Sequence, residues 1–405
     1  MPRVPRVLSY WRAERRTIGQ GLVAMLVASV ASLGAGVVLG FITDTLEALP
    51  SLMVMVPAAI AARGNVFGAL ASRLGTSIHA GLFAASRERT GVLYQNLYAA
   101  TVLTLAISLL MAVLAKILAV AFGLATISTL DFVVISILGG VMASLVVAVL
   151  TVALAVGAQR FGWDLDSVAA PLITSAGDVL TVPSLFVATF AVGVRWVTPS
   201  IAGVLIAAAV LLTIRGLLTD LGATKRILRE SLPVLTIAAT VDLFAGLVLE
   251  SRLESFLTFP VLLILIPPII GDAGGLGGIL AARLASKLHL GLLTPRGRPE
   301  APALLDLSIV MLFALLVFPA VGVAADLLAA PLGLGTPGIG AVVGISLLAG
   351  VISTTAAAVV AYYAAIATYR LGLDPDSHGI PLITASMDFI GVIALIIAIV
   401  AFGVA

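Results

Sequence analysis

Runs of 18 or more residues almost free of charge follow one another along the whole 405-residue chain, and each can cross a hydrocarbon layer of roughly 30 Å as a helix. They are continuously apolar rather than alternating, which excludes a lipid-facing β-barrel, whose strands alternate apolar and polar side chains. A chain that is 61% apolar and 10% charged also lies outside the composition of soluble globular domains. The predicted spans are 18–42, 51–83, 92–122, 131–160, 167–194, 199–219, 230–252, 260–292, 304–329, 338–369 and 379–404. The expected fold is an all-α integral membrane protein of about 11 transmembrane helices.

The segment ahead of the first span carries Arg3, Arg6, Arg12, Arg15 and Arg16 against one acid, Glu14. The apolar run behind it, about 25 residues long, exceeds a signal-peptide core and predicts a retained first span. With the N-terminus in the cytoplasm, sixteen Lys and Arg fall at inner ends of spans, whereas only Arg195 and Arg252 fall at outer ends. That imbalance follows the positive-inside rule and predicts a multi-pass cell-membrane protein with a cytoplasmic N-terminus. Topology, not nucleic-acid binding, accounts for the basic residues. There is no cysteine, so neither disulfides nor a thiolate metal site is available.

Two regions recur at one constant offset, the one that separates Gly64 from Gly274. Gly64 to Leu82 aligns with Gly274 to Leu292, sharing Gly64/Gly274, Gly68/Gly278, Arg73/Arg283, His79/His289 and Gly81/Gly291. Asp164 to Val182 aligns with Asp374 to Val392, sharing Asp164/Asp374, Asp166/Asp376, Pro171/Pro381, a Leu-Ile-Thr triplet and Asp178/Asp388. Pro57/Pro267 fall on the same register. Shared hydrophobicity does not align prolines, aspartates and histidines, so the chain is read as a tandem duplication. The expected organisation is a cytoplasmic segment 1–17, a five-helix repeat 18–194, a linking transmembrane helix with its loop 195–229, and a second five-helix repeat 230–405. One linking span returns the chain to its starting side. The repeats are therefore expected to be parallel, related by a pseudo-two-fold axis along the membrane normal, with a pathway at their interface.

Asp178 and Asp388 lie deep in apolar runs, each with a proline seven residues back and a threonine four back. On a helix Pro171, Thr174 and Asp178 share a face, as do Pro381, Thr384 and Asp388. An ionised aspartate at that depth costs ~2.5–3.5 kcal/mol on insertion scales, so it is expected to face water or a partner. The prolines free backbone carbonyls that can also serve a cation. The bland alternative is that the two acids pair with Arg73 and Arg283 and hold the bundle together. The glycine-rich stretches around Pro57, Gly64, Asn65 and Gly68, and around Pro267, Asp272, Gly274 and Gly278, predict interrupted, cavity-lining helices or close small-residue packing. Asn65 and Asp272 are their cation-facing candidates.

Asp164, Asp166, Asp374 and Asp376 precede a span, where helix capping explains them and a cation-gathering vestibule is the sharper reading. His79 and His289 read as hydrogen-bonded structure. Asp242 stands where the first repeat has Ser32, and Asp326 where it has Lys116, an asymmetry that could serve coupling or carry no function. No Gly-Lys-Ser/Thr phosphate loop is present, which argues against an ATP-driven pump.

At these residues the chain resembles the MgtE magnesium channel family and its duplicated relatives in solute carrier family 41. The Pro-Leu-Ile-Thr-x-x-x-Asp stretches at 171–178 and 381–388 look like the fifth helix of the MgtE membrane domain. The Gly-Asn-x-x-x-x-Leu-Ala-Ser-Arg-Leu stretch at 64–74 looks like the solute carrier 41 signature in the second helix. The resemblance implies that Asp178 and Asp388 correspond to the pore Mg2+ aspartate, and that the parallel dimer of MgtE is fused here as a pseudo-dimer within one chain, compatible with a monomer. It departs at Gly275, which replaces Asn65, and in showing no counterpart of the cytosolic sensor domains, so gating through them is not carried over. The expected function is transport of divalent cations, foremost Mg2+, across the bilayer, with no cofactor beyond the transported ion. Na+-coupled exchange through Asp242 or Asp272 is the alternative. An intramembrane metal-dependent enzyme would need closely spaced acids on one helix, and these acids are distributed one per repeat.

Overall fold

The computed structural model describes residues 4–86, 88–161, 165–371 and 380–404, with the side chains of 4–6, 165–172, 174 and 380–382 outside the described set. The vestibule candidates Asp164, Asp374 and Asp376 lie outside these residues, as do the side chains of Asp166, Pro171, Thr174 and Pro381. Among the described residues the secondary structure is helical, with no strand. In chain order the helices are α1 (Val4–Ala13), α2 (Arg15–Phe41), α3 (Thr43–Ala48), α4 (Val56–His79) behind a 3-10 turn at Leu52–Met55, α5 (Val92–Ala121), α6 (Thr129–Phe161) and α7 (Leu165–Thr189). They continue as α8 (Val197–Leu218), α9 (Gly222–Glu250), α10 (Leu253–Thr258), α11 (Val261–His289), α12 (Ala301–Ala329), α13 (Ile339–Leu371) and α14 (Ile380–Ala401).

Each predicted span is a helix, because no other backbone arrangement satisfies its own hydrogen bonds in hydrocarbon. Ten helices are long and apolar enough to cross a membrane among the described residues, and α7 contributes the shorter apolar stretch Ser175–Thr189. The duplication extends to helix ends: α6 and α13 begin at register partners, Thr129 and Ile339, and end at register partners, Phe161 and Leu371. Gly81 and Gly291, a repeated pair, terminate α4 and α11 at φ of 67° and 69°. There the N–H of the next residue reaches back to the carbonyl of Ser77 (2.8 Å) or Lys287 (2.9 Å), the hydrogen bond of a Schellman cap, for which glycine suits the left-handed position.

The interruption expected around Gly64 and Gly274 is not there. α4 runs unbroken through Gly64, Asn65 and Gly68, and α11 through Pro267, Asp272, Gly274 and Gly278. Pro57 sits in the first turn of α4, where its missing N–H leaves no bond unmade. Gly64 and Gly274 instead lie in close packing contacts, the other half of the sequence expectation, whereas a Cβ on Gly278 would meet nothing within 4 Å.

The chain divides into two compact units, Ile42–Ser251 and Met1–Phe41 with Arg252–Ala405. These units exchange leading helices: α2 belongs with α11–α14, and α9, its counterpart in register, belongs with α4–α7. A repeated glycine makes each exchange possible. A Cβ on Gly36 would lie 2.2 Å from the Ile264 carbonyl oxygen, and one on Gly246 would lie 2.0 Å from that of Val54. Gly36 and Gly246 are register partners, and so are Val54 and Ile264, so the same backbone-to-backbone seam occurs once in each unit.

Candidate cation site

Within the first of these units, α7 packs along α4. A Cβ on Gly177 would meet Arg63 Cβ at 3.3 Å and the Gly64 nitrogen at 3.5 Å, so the small residues at 64 and 177 bring the two backbones together. Asp178 follows directly and is 9% exposed. Within the other unit, α14 packs along α11 in the same way. Gly391 lies 3.5 Å from the Ile270 Cα, and Gly274 lies 3.4 Å from Thr384 Cγ2, both distances measured from an ideal Cβ. The helices therefore run antiparallel, and Asp272 and Asp388 fall at one level between those contacts. Asp388 is 7% and Asp272 2% exposed. Ser29 on α2 donates to Asp272 Oδ2 at 2.7 Å and is itself buried.

Thr384 thus lies between the glycine helix and the aspartate turn, half buried. Asn65 is half buried on α4, and a Cβ built on its register partner Gly275 would lie 3.4 Å from Met25 Sδ. Pro57 and Pro267 are buried in α4 and α11. Asp242 is buried on α9. Each unit therefore carries one repeated aspartate on a helix packed against a repeated glycine helix, together with acids that are not repeated.

The two arginines that could have neutralised the aspartates are engaged elsewhere. Arg73 Nε donates to Asn96 Oδ1 at 3.1 Å. Arg283 lies 2.9 Å from Asp306 and 3.3 Å from Glu14, and Lys287 lies 2.6 Å from the other oxygen of Asp306, which is fully buried. Tyr10 on α1 donates its hydroxyl to Asp306 at 2.7 Å, and Trp11 donates to Ser308 at 3.0 Å, so α1 is tied to α11 and α12. Burial, and then the hydrogen bond to Asp306, hold the Tyr10 phenol above its ordinary range. Sequence reasoning missed this cluster, although Asp306 standing where the first repeat has Asn96 was a visible signal. His289 behaves as expected of a structural histidine, with Nδ1 2.8 Å from the Ala285 carbonyl and its ring edge-to-face with Tyr369.

No group of three or more acids and histidines that could enclose a metal occurs among the described residues. Each half offers carboxylates singly or in a pair, with a hydroxyl nearby.

A duplicated bundle of membrane-spanning helices that buries a repeated carboxylate in each half has the build of a polytopic membrane transporter. The chain belongs to the MgtE family of divalent cation transporters, whose family model matches residues 56–188 and 266–398, once in each repeat. It is 26% identical over 402 residues to mouse solute carrier family 41 member 3, covering 92% of this chain and 80% of that protein. Solute carrier family 41 member 2 of Xenopus laevis and of human are each 26% identical over 67% and 70% of this chain, which spans about half of their length (49% and 50%). Among solved structures, a eukaryotic MATE transporter aligns over 96% of each chain at 15% identity and a TM-score of 0.31, too slight a likeness to argue from.

Proposed function

We propose that the chain transports Mg2+ along an axial pathway between two parallel repeats, with Asp178 and Asp388 holding the partly hydrated ion and Thr174 and Thr384 assisting. The observation that carries this reading is the repeated seating of a helix with a buried aspartate against a glycine-bearing helix, through Gly177 on Gly64 beside Asp178 and Thr384 on Gly274 one turn before Asp388. Two carboxylates related by a pseudo-two-fold axis supply two negative charges to a doubly charged ion. Mg2+ sheds water reluctantly, so contacts made largely through its own waters suit it better than Ca2+, which favours six to eight protein oxygens. With the N-terminus cytoplasmic, an inside-negative potential contributes ~2.3 kcal/mol per charge per 100 mV, enough to drive uptake of a dication without a second solute.

Flux into proteoliposomes loaded with a Mg2+-sensitive dye tests the reading. Asp178→Ala and Asp388→Ala are each expected to abolish uptake while preserving a monodisperse, folded protein. Full transport by the double variant would sink it. A Na+-coupled exchange is favoured by one observation, the presence of the buried acids Asp272 and Asp242 where the opposite repeat has Ala62 and Ser32. An imposed Na+ gradient that accelerates Mg2+ flux, with Asp242→Asn removing the acceleration, would decide for it.

A further inference from the structure

We propose that Arg63 is a specificity-determining residue: a fixed internal cation rooted at the level of Asp178 that weakens ion binding in the α4–α7 half and sets the preference between doubly and singly charged ions. The inference rests on the reading of Asp178 as an ion-binding group.

Arg63 is the one Lys or Arg among the described residues whose side chain is wholly inside the protein. Its Nη2 donates to Ser108 Oγ at 3.0 Å, while Nε and Nη1 have no hydrogen-bond partner among the described residues. A guanidinium stays protonated in such surroundings, and one hydrogen bond does not offset its removal from water. A charge held at that disadvantage calls for a reason other than packing.

The other repeat shows that packing does not need it. Ser136 Oγ donates to the Ser108 carbonyl at 2.7 Å, and its register partner Ser346 donates to the Phe318 carbonyl at 2.6 Å, so the two helix pairs are built alike. Gly140 makes room for Arg63 Nη2, and its register partner Gly350 makes room for the Phe318 ring. Ala273 stands at the position of Arg63, and Phe318 at that of Ser108. One slot is therefore filled by a guanidinium reaching from α4 in one unit, and by a phenyl ring from α12 in the other. The apolar solution is available to this fold and is used only once.

The location of the charge supplies the function. Arg63 is level with Asp178, because its Cβ faces Gly177. In the other unit, the corresponding level holds Asp272 with Asp388 and no buried Lys or Arg among the described residues. The half carrying Arg63 thus holds its buried carboxylates, Asp178 and Asp242, in one unit with a resident positive charge, whereas the α11–α14 half holds Asp272 and Asp388 without one. A fixed charge acts on a passing ion in proportion to the ion's own charge. Whatever factor Arg63 imposes on the affinity of a monovalent cation, it imposes the square of that factor on a divalent one.

The test uses Arg63→Ala combined with Ser108→Phe, which rebuilds in one unit the packing already present in the other and deletes the charge. In proteoliposome flux assays, this variant is expected to lower the KM for Mg2+ on the order of a hundredfold, the inhibition constant for competing Na+ about tenfold, and the maximal rate through slower release. Arg63→Lys should stay within about twofold of the parent, because the charge is kept. If the double variant does not yield folded protein, Arg63→Met gives the same readout. An unchanged KM for Mg2+, or equal shifts for Mg2+ and Na+, overturns the proposal, since altered packing does not scale with ion charge. Asp178→Ala is measured alongside. If it transports like the parent, the reading of Asp178 is lost; if it is inactive while the charge deletion leaves KM unmoved, only the role of Arg63 is lost.

Discussion

Gly246→Ala is a small substitution that should be costly. The added Cβ would stand 2.0 Å from the Val54 carbonyl oxygen, where ordinary contact begins near 3.4 Å, so α9 has to retreat by more than an ångström from the turn that opens α4. The obstacle is backbone, and no side-chain rotation relieves it. A gap of roughly 0.5–1 Å already forfeits a quarter to a half of the dispersion energy of the atoms it parts, and overpacking of this kind typically costs ~1–3 kcal/mol or more. Against this, alanine is about 1 kcal/mol better than glycine inside a helix. The net expectation is a loss of ~2 kcal/mol, which for a unit of this size lowers the melting temperature by ~4–8 °C. Gly36→Ala makes the equivalent contact at 2.2 Å with the Ile264 carbonyl oxygen and should behave alike. Gly203→Ala on α8, with nothing within 4 Å, is the control and should stabilise slightly. Thermal scans of purified protein monitored by size exclusion supply the readout. A Gly246→Ala protein as stable as the parent would refute the close-contact seam, and with it the exchange of leading helices.

Asp306→Asn removes the one carboxylate between Arg283 and Lys287. Breaking a buried pair on one side typically costs ~3–5 kcal/mol, and because both cations keep 20% exposure the lower end, ~3 kcal/mol, is expected in the same thermal assay. Tyr10→Phe tests the neighbouring bond through alkaline pH. The folded-state pKa of Tyr10 is raised above the ordinary phenol value of 10.0, so its contribution to stability is full below about pH 10 and declines as pH rises through the folded value. The variant should be less stable at neutral pH by ~1.5–3 kcal/mol, the worth of a hydrogen bond to a charged group, and should lose stability less steeply above about pH 10. Ser29→Ala deletes the 2.7 Å bond to Asp272 and should cost a similar amount, seen as a lowered melting temperature without loss of expression.

Helix identity and repeat period were legible because both are set locally. Uncharged runs fix the spans through the hydrocarbon thickness, and prolines, glycines and aspartates recurring at one offset fix the register. The glycine stretches misled because the sequence does not distinguish a glycine that breaks a helix from one that admits a neighbour. Gly274 against Thr384 and Gly36 against Ile264 are of the second kind. The exchange of α2 and α9 was illegible, since a span's partner depends on tertiary contacts, and the packing of Gly246 on Val54 joins segments far apart in the chain. Asp306 escaped for a related reason: an acid near the start of a span reads as solvated until Tyr10, Arg283 and Lys287 are seen to converge on it.

Several differences between the repeats are differences of charge. What both copies keep is steric: Gly36/Gly246 on a carbonyl, Gly81/Gly291 at a helix end, Ser136/Ser346 bonded to the carbonyl of residue 108 or 318. Beside the shared Asp178/Asp388 and Arg73/Arg283, four positions differ in charge: Arg63 against Ala273, Asn96 against Asp306, Ser77 against Lys287, and Ser32 against Asp242. A duplicated chain is not bound to identical halves as a dimer of separate subunits is, so each copy can change its charges while the shared backbone contacts preserve the frame. Mutations to buried charge are ordinarily among the most destabilising. Three of these positions, Arg63, Asp242 and Asp306, differ by a buried charge, and they argue that the two halves treat a cation differently; charge-neutralising substitutions at Arg63 and at Asp272 should move its affinity in opposite directions.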